Sequence, residues 1–106
     1  MNVIQPAAAL RPGDVVKCVA ASSALDSSER LHQGASLLNS WGLKVEQLSC
    51  ADRSWGYLAG RDCERRHDLE PESTAELFAC ARGGWGAARL LERDIQWQSG
   101  WLLGFS

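Results

Sequence analysis

Hydrophobic positions along the chain come in short continuous runs, set between longer stretches where they recur at helical spacing. Val15-Val16-Lys17-Cys18-Val19-Ala20 follows the turn residues Pro12-Gly13-Asp14 and is a β-branched run of strand length, so it reads as a central strand. Asp26-Ser27-Ser28-Glu29 has the form of a capping box, with Asp26 accepting from first-turn amides and Glu29 reaching back, and it predicts a helix start. Leu31, Ala35, Leu38 and Trp41 then share one apolar stripe, and Gly42 sits where a left-handed C-terminal cap belongs. Leu43 to Leu48 alternates imperfectly between apolar and polar residues, which predicts a half-buried strand at a sheet edge.

Ser49 to Gly60 reads as a loop in which Trp55 and Tyr57 either pack the segment down or face a ligand, with packing the expected role. Arg61 to Leu69 is strongly charged but helix-compatible, and Pro71 interrupts it. Glu76 to Ala81 predicts a third, buried strand, Gly84 to Arg93 a helix, and Trp101 to Leu103 a fourth strand. Strands alternating with helices predict a small three-layer α/β domain, with a parallel, flavodoxin-like sheet of about four strands and helices on both faces. In such sheets ligands collect at the carboxyl ends of the strands, where helix N-termini and loops face. Ser22 and Ser23, Arg82 to Gly84, and Ser106 all fall on that one predicted edge.

Length narrows the picture further. With 106 residues the chain makes one small domain, near the lower end for an enzyme carrying its own cleft. A net charge of -2 with both signs mixed along the chain leaves no basic stripe for nucleic acid and no polybasic anchor for a membrane. Residues 1–10 lack a cationic leader pattern, and no apolar run reaches the roughly 20 residues of a membrane span, so a cytoplasmic chain is expected. Cys18, Cys50, Cys63 and Cys80 are scattered without a C-x-x-C pair, so no metal and no cofactor are predicted and reduced thiols are expected.

Chemistry concentrates in Cys80-Ala81-Arg82-Gly83-Gly84-Trp85-Gly86. An apolar run breaking into glycines and then into a helix-forming segment predicts a strand, a tight turn and a place to stabilise negative charge. A dinucleotide fingerprint fits poorly, because counting from Gly84 puts Arg89 where its last glycine belongs. Gly104-Phe105-Ser106 would bring a hydroxyl to the end of a neighbouring strand, and a nucleophilic serine needs a base and oxyanion donors. The two histidines, His32 and His67, lie in helical segments among charged or polar neighbours and read as solvated.

Leu10-Arg11-Pro12-Gly13-Asp14, Ala20-Ala21-Ser22-Ser23, Glu29-Arg30-Leu31, the stretch from Leu38 through Trp41-Gly42-Leu43-Lys44-Val45, Gly56 to Gly60, Cys80 to Gly86 and Gly104-Phe105-Ser106 occur in the order that resembles the N-terminal half of the LD-carboxypeptidase and microcin-immunity family of serine peptidases. That resemblance implies a cytoplasmic hydrolase with a serine, glutamate and histidine triad. Its reaction would cut an amide between an L- and a D-centre, in murein tetrapeptides during cell-wall recycling or in peptide-nucleotide antibiotics. Ser106 matches the nucleophile and Gly84 the backbone oxyanion donor. Arg82, Gly83 and Trp85 match the substrate-binding turn, with Trp85 where tyrosine is usual.

The resemblance places the glutamate and histidine in a second domain, so residues 1–106 are expected to form a nucleophile-bearing N-terminal domain that is inactive alone. The expected partners are a peptide or muropeptide substrate and, in the intact protein, a second copy. Exposed apolar surface on Trp101 and Phe105 would favour self-association. The rival reading is a binding or assembly module that keeps the fold without the chemistry.

Overall fold

The computed structural model describes residues 6–46, 48–70 and 74–104. Four strands, β1 (Val15–Val19), β2 (Lys44–Glu46), β3 (Leu77–Cys80) and β4 (Trp101–Leu103), form one sheet in the order β2-β1-β3-β4. All three pairings are parallel, with Val16 opposite both Val45 and Leu77, and Ala79 opposite Leu103. The predicted parallel α/β sheet is therefore the observed one, and β2 lies at an edge as its imperfect alternation implies.

Parallel strands need crossovers, and these place helices on both faces. The first is α1 (Glu29–Ser40); α2 (Asp62–Leu69) and the single-turn α3 (Ala87–Leu90) follow, with a short 3-10 segment at Leu48–Asp52. Alternation along β1 divides the core. Val16 packs with Leu43 and Leu77 beside Leu38 of α1, and Cys18 packs with Ala20, Cys50 and Ala59. Val19 and Ala21 face the other way, toward Phe78, Leu90, Ile95 and Leu69. Leu90 is completely buried, and a leucine so placed contributes about 1.5–3 kcal/mol. That single residue anchors α3.

Three local expectations need correcting. The helix start lies three residues beyond Asp26: Ser28 is the cap position and makes no side-chain cap bond, while Ser27 Oγ accepts the Glu29 N–H at 3.1 Å. The adjacent serine hydroxyl meets the need that the capping box would have met. On the predicted stripe Ala35 is buried and Leu31 and Leu38 are partly so, but Trp41 is 62% exposed, because the helix has reached its end there and Gly42 turns at φ 90°. Finally, α3 covers only Ala87–Leu90 instead of residues 84–93. Gly84 and Gly86 hold positive φ, which delays the helix, and Ile95 must return to the core, which ends it. Pro71 lies outside the described residues; α2 ends before it, at Leu69.

Candidate active site

Strand order 2-1-3-4 means that the chain leaves β1 toward one side of the sheet and later crosses to the other. Beyond the carboxyl ends of β1 and β3 this leaves a crevice, the usual ligand position in open α/β sheets. Residues 20–24 after β1 and 81–86 after β3 meet there. Ala81 N–H donates to Val19 O at 2.7 Å, Ser23 N–H donates to Gly83 O at 3.4 Å, and Ser23 Oγ donates to Trp85 O at 3.4 Å. Arg82, which is exposed, donates from Nη1 to Ala24 O at 2.6 Å and ties the two segments together.

The glycines are needed where the segments cross. Gly84 has φ 94°, and a Cβ there would stand 2.5 Å from Ser23 Oγ. Gly86 has φ 118°, and a Cβ there would meet Leu58 Cδ2 at 2.5 Å. Both the backbone angle and the lack of space require glycine. Gly83 is half-buried, and Trp85 at 80% exposure is the most open large side chain of the turn.

Past Val19 the strand loses its ladder, yet Ala20 and Ala21 are buried, so their peptide groups need other partners. Charged side chains provide them. Asp68 of α2 accepts the Ala20 N–H at 2.8 Å, and Arg53 Nη2 donates to Ala20 O at 3.1 Å. Arg53 also grips Asp68 with two parallel bonds of 3.0 and 2.8 Å. Burial pulls the Arg53 pKa down, but hydrogen bonding to Asp68 and its charge outweigh burial, and the net shift is upward. The guanidinium stays charged.

Arg65 holds the second part of the edge. It is fully buried, and it donates to Ala21 O at 3.0 Å, Gly60 O at 2.8 Å, Asp62 Oδ1 at 2.9 Å and Gly86 O at 3.1 Å. One planar group thereby fixes the β1 exit, the loop at Gly60 and the glycine turn to one another. Asp62 bridges outward to Arg89 at 2.9 Å. The hydrogen bond from Arg65 holds the Asp62 carboxyl below its ordinary range; slight burial opposes this and the Arg89 charge adds to it.

The loop at residues 53–60 lies along the same edge. Ala59 N–H donates to Ser22 O at 2.9 Å, Ala24 N–H to Tyr57 O at 2.8 Å, and Ser23 and Leu58 form an isolated antiparallel bridge. Trp55 and Tyr57 do not pack this loop down as expected. They are 43% and 67% exposed, because Leu58 and Ala59, which follow them, take the inward positions of the loop at 4% and 1%. The Arg61 guanidinium stacks 5.1 Å from the centroid of Trp55.

The structure therefore brings Arg82, Gly83, Gly84 and Trp85 together with Ser22 and Ser23. Ser106 lies outside the described residues; β4, which leads toward it, is paired in parallel with β3 and points at the same edge. His32 and His67 are exposed on α1 and α2, as their polar surroundings imply. Nothing in the hydrophobic pattern marks Arg53, Arg65 and Asp68. An indirect signal exists in α2 itself, Asp62-Cys63-Glu64-Arg65-Arg66-His67-Asp68-Leu69, which has no apolar stripe with which to pack. Its inward face has to be polar, and Arg65 and Asp68 sit one turn apart on it.

Comparison with known proteins finds relatives for the chain. A family model described as the LD-carboxypeptidase N-terminal domain matches residues 16–106. A Synechocystis protein named as a carboxypeptidase is 41% identical over 114 aligned positions, which cover 99% of this chain and 36% of the relative. A Bacillus subtilis protein named as a murein peptide carboxypeptidase is 34% identical over 85 positions, covering 77% of this chain and 26% of the relative. The chain thus spans about a third or less of the length of these two proteins.

Proposed function

The chain belongs to the LD-carboxypeptidase family through its N-terminal domain, and from that premise we propose that residues 1–106 are the nucleophile-bearing part of a cytoplasmic serine peptidase acting on L,D-amide bonds of murein tetrapeptides. The observation that carries the reading is the glycine turn at Gly83–Gly86, held rigidly over the carboxyl ends of β1 and β3 by Arg65 and Arg82.

In this reading the Ser106 hydroxyl attacks the scissile carbonyl carbon. A histidine of a second domain takes the proton and a glutamate orients that histidine, as in other serine triads. The carbonyl oxygen becomes an oxyanion, and the Gly84 backbone N–H, with the amide following Ser106, donates to it. A preorganised donor of this kind contributes about 2.7–4 kcal/mol to the transition state. Its value depends on the turn not moving, which is the role of the Arg65 hub. Trp85, Tyr57 and Trp55 offer apolar walls at the mouth of the crevice, and Arg82 and Gly83 line the substrate side of the turn. In this reading residues 1–106 supply the nucleophile and an oxyanion donor, the second domain supplies the base, and the intact protein works as a homodimer.

The test uses the longest protein encoded by the gene, given an L,D-tetrapeptide and its all-L diastereomer, with release of the C-terminal residue followed by chromatography. Release from the L,D-peptide alone is expected. Equal release from both, or none from either, contradicts the reading.

A further inference from the structure

Two thiols far apart in sequence are in contact. Cys18, on the central strand β1, and Cys50, on the 3-10 segment, lie 32 positions apart, and their sulfurs are 3.0 Å from each other. Each residue is 6% exposed, and Ala20 and Ala59 pack around them. Neither sulfur has a part in the peptidase site. Since a disulfide needs sulfurs at about 2.05 Å, bond formation requires them to close by only about 1 Å. The structure assigns a role to this contact: we propose that Cys18 and Cys50 form a reversible disulfide under mild oxidation, a modification site that bolts the 3-10 segment to the centre of the sheet.

The surroundings suit the chemistry. The hydrogen bond with Cys18 brings the Cys50 thiol down, against the opposing effects of burial and the Asp68 charge, and the Arg53 charge assists. The same bond, then burial, pushes Cys18 up. Cys50 is thus the sulfur that gives up its proton first, with Cys18 S–H beside it. A groove of about 920 Å³ between α1 and the sheet is lined in part by Cys18 and Cys80 but not by Cys50, so a small oxidant such as hydrogen peroxide that enters it meets the Cys18 sulfur, 3.0 Å from that of Cys50.

The Cys50 thiolate takes the Cys18 proton, the Cys18 sulfur attacks one peroxide oxygen, the O–O bond breaks, and the departing hydroxide takes up the proton that Cys50 first released, giving water and a sulfenic acid on Cys18. Cys50 sulfur then attacks Cys18 sulfur, the S–O bond breaks, and the hydroxyl leaves as a second water with the proton that Cys50 had taken from Cys18. Two thiols and one peroxide become one disulfide and two waters. A thiol reductant reverses the step by exchange. The proposal is independent of the peptidase reading.

The test is peptide mapping after brief peroxide treatment of the folded chain, with remaining thiols alkylated in denaturant. The expected result is one dominant link, Cys18 to Cys50, with a raised Tm that falls back on reduction. The same oxidation in guanidinium should scatter the pairing among the four cysteines. Cys63→Ser, at an exposed position, should leave the link intact. Recovery of Cys18 and Cys50 both alkylated while Cys63 has been oxidised would overturn the proposal, as would identical pairing in the folded and unfolded chain, or loss of the link in Cys63→Ser.

Discussion

At one side of the sheet Ala20 and Ala21 are held by Asp68, Arg53 and Arg65, and among the described residues no buried side-chain nitrogen or oxygen lacks a partner. At the other side β4 exposes Trp101, Leu102 and Leu103 by 43%, 50% and 46%, and the groove beside α1 runs up to Leu103. The first region spends charged side chains on fixing backbone; the second leaves apolar side chains against solvent. A network of that kind is worth building where atoms must not move, and it lies under the turn that carries the proposed oxyanion donor. The open strand is suited to being covered, and it resembles the sheet edges that natural proteins protect.

The contrast breaks most sharply at Arg65. Arg65→Met removes the donors to three backbone carbonyls and is expected to destabilise the chain by about 3–5 kcal/mol, the range for breaking a buried charged network, as a denaturant titration would measure. A loss below about 1 kcal/mol would mean that water replaces the guanidinium with ease. Gly86→Ala comes next. With φ 118° and Leu58 in the way, it should cost roughly 1–3 kcal/mol and distort the turn.

Acid probes the rim of the same hub. Because the Asp62 carboxyl titrates below its ordinary value of 3.8 when folded, its pairing with Arg65 and Arg89 stabilises the fold above that value and is lost as pH falls through the folded one. Asp62→Asn should therefore flatten the acid limb of a stability profile, and an unchanged limb would remove Asp62 from the account. At the open side Leu103→Lys should change stability by no more than about 0.5 kcal/mol, as surface substitutions do. Sedimentation of the wild-type chain should show self-association that this variant reduces.

The same contrast decides how much of the molecule is legible in sequence. Strands β1 and β3 are, because strands buried between two layers read as continuous apolar runs, and Trp101–Leu103 reads the same way although it is exposed. The glycine turn is legible too, since Gly84 and Gly86 stand where no other residue fits. The hub is not. Arg53, Arg65 and Asp68 are residue types found mostly at surfaces, and only the backbone they rescue, specified by tertiary structure, explains the burial of Arg65 and Asp68 and the half-burial of Arg53. Helix α3 is shorter than its sequence implies for a related reason: local propensity favours residues 84–93, whereas the glycine angles and the return of Ile95 to the core allow one turn. The thiol contact joins residues 32 apart, beyond the reach of any spacing rule.

Ser22 and Ser23 lie at the proposed site and Ser106 is its proposed nucleophile, so the most direct measurement compares Ser22→Ala, Ser23→Ala and Ser106→Ala in the longest protein encoded by the gene, with turnover of an L,D-tetrapeptide as the readout. The account predicts that Ser106→Ala alone lowers kcat by about 10⁶-fold while the substrate still binds, and that Ser22→Ala and Ser23→Ala keep most of the rate. Turnover surviving in Ser106→Ala, or vanishing in Ser23→Ala with the fold intact, would contradict it.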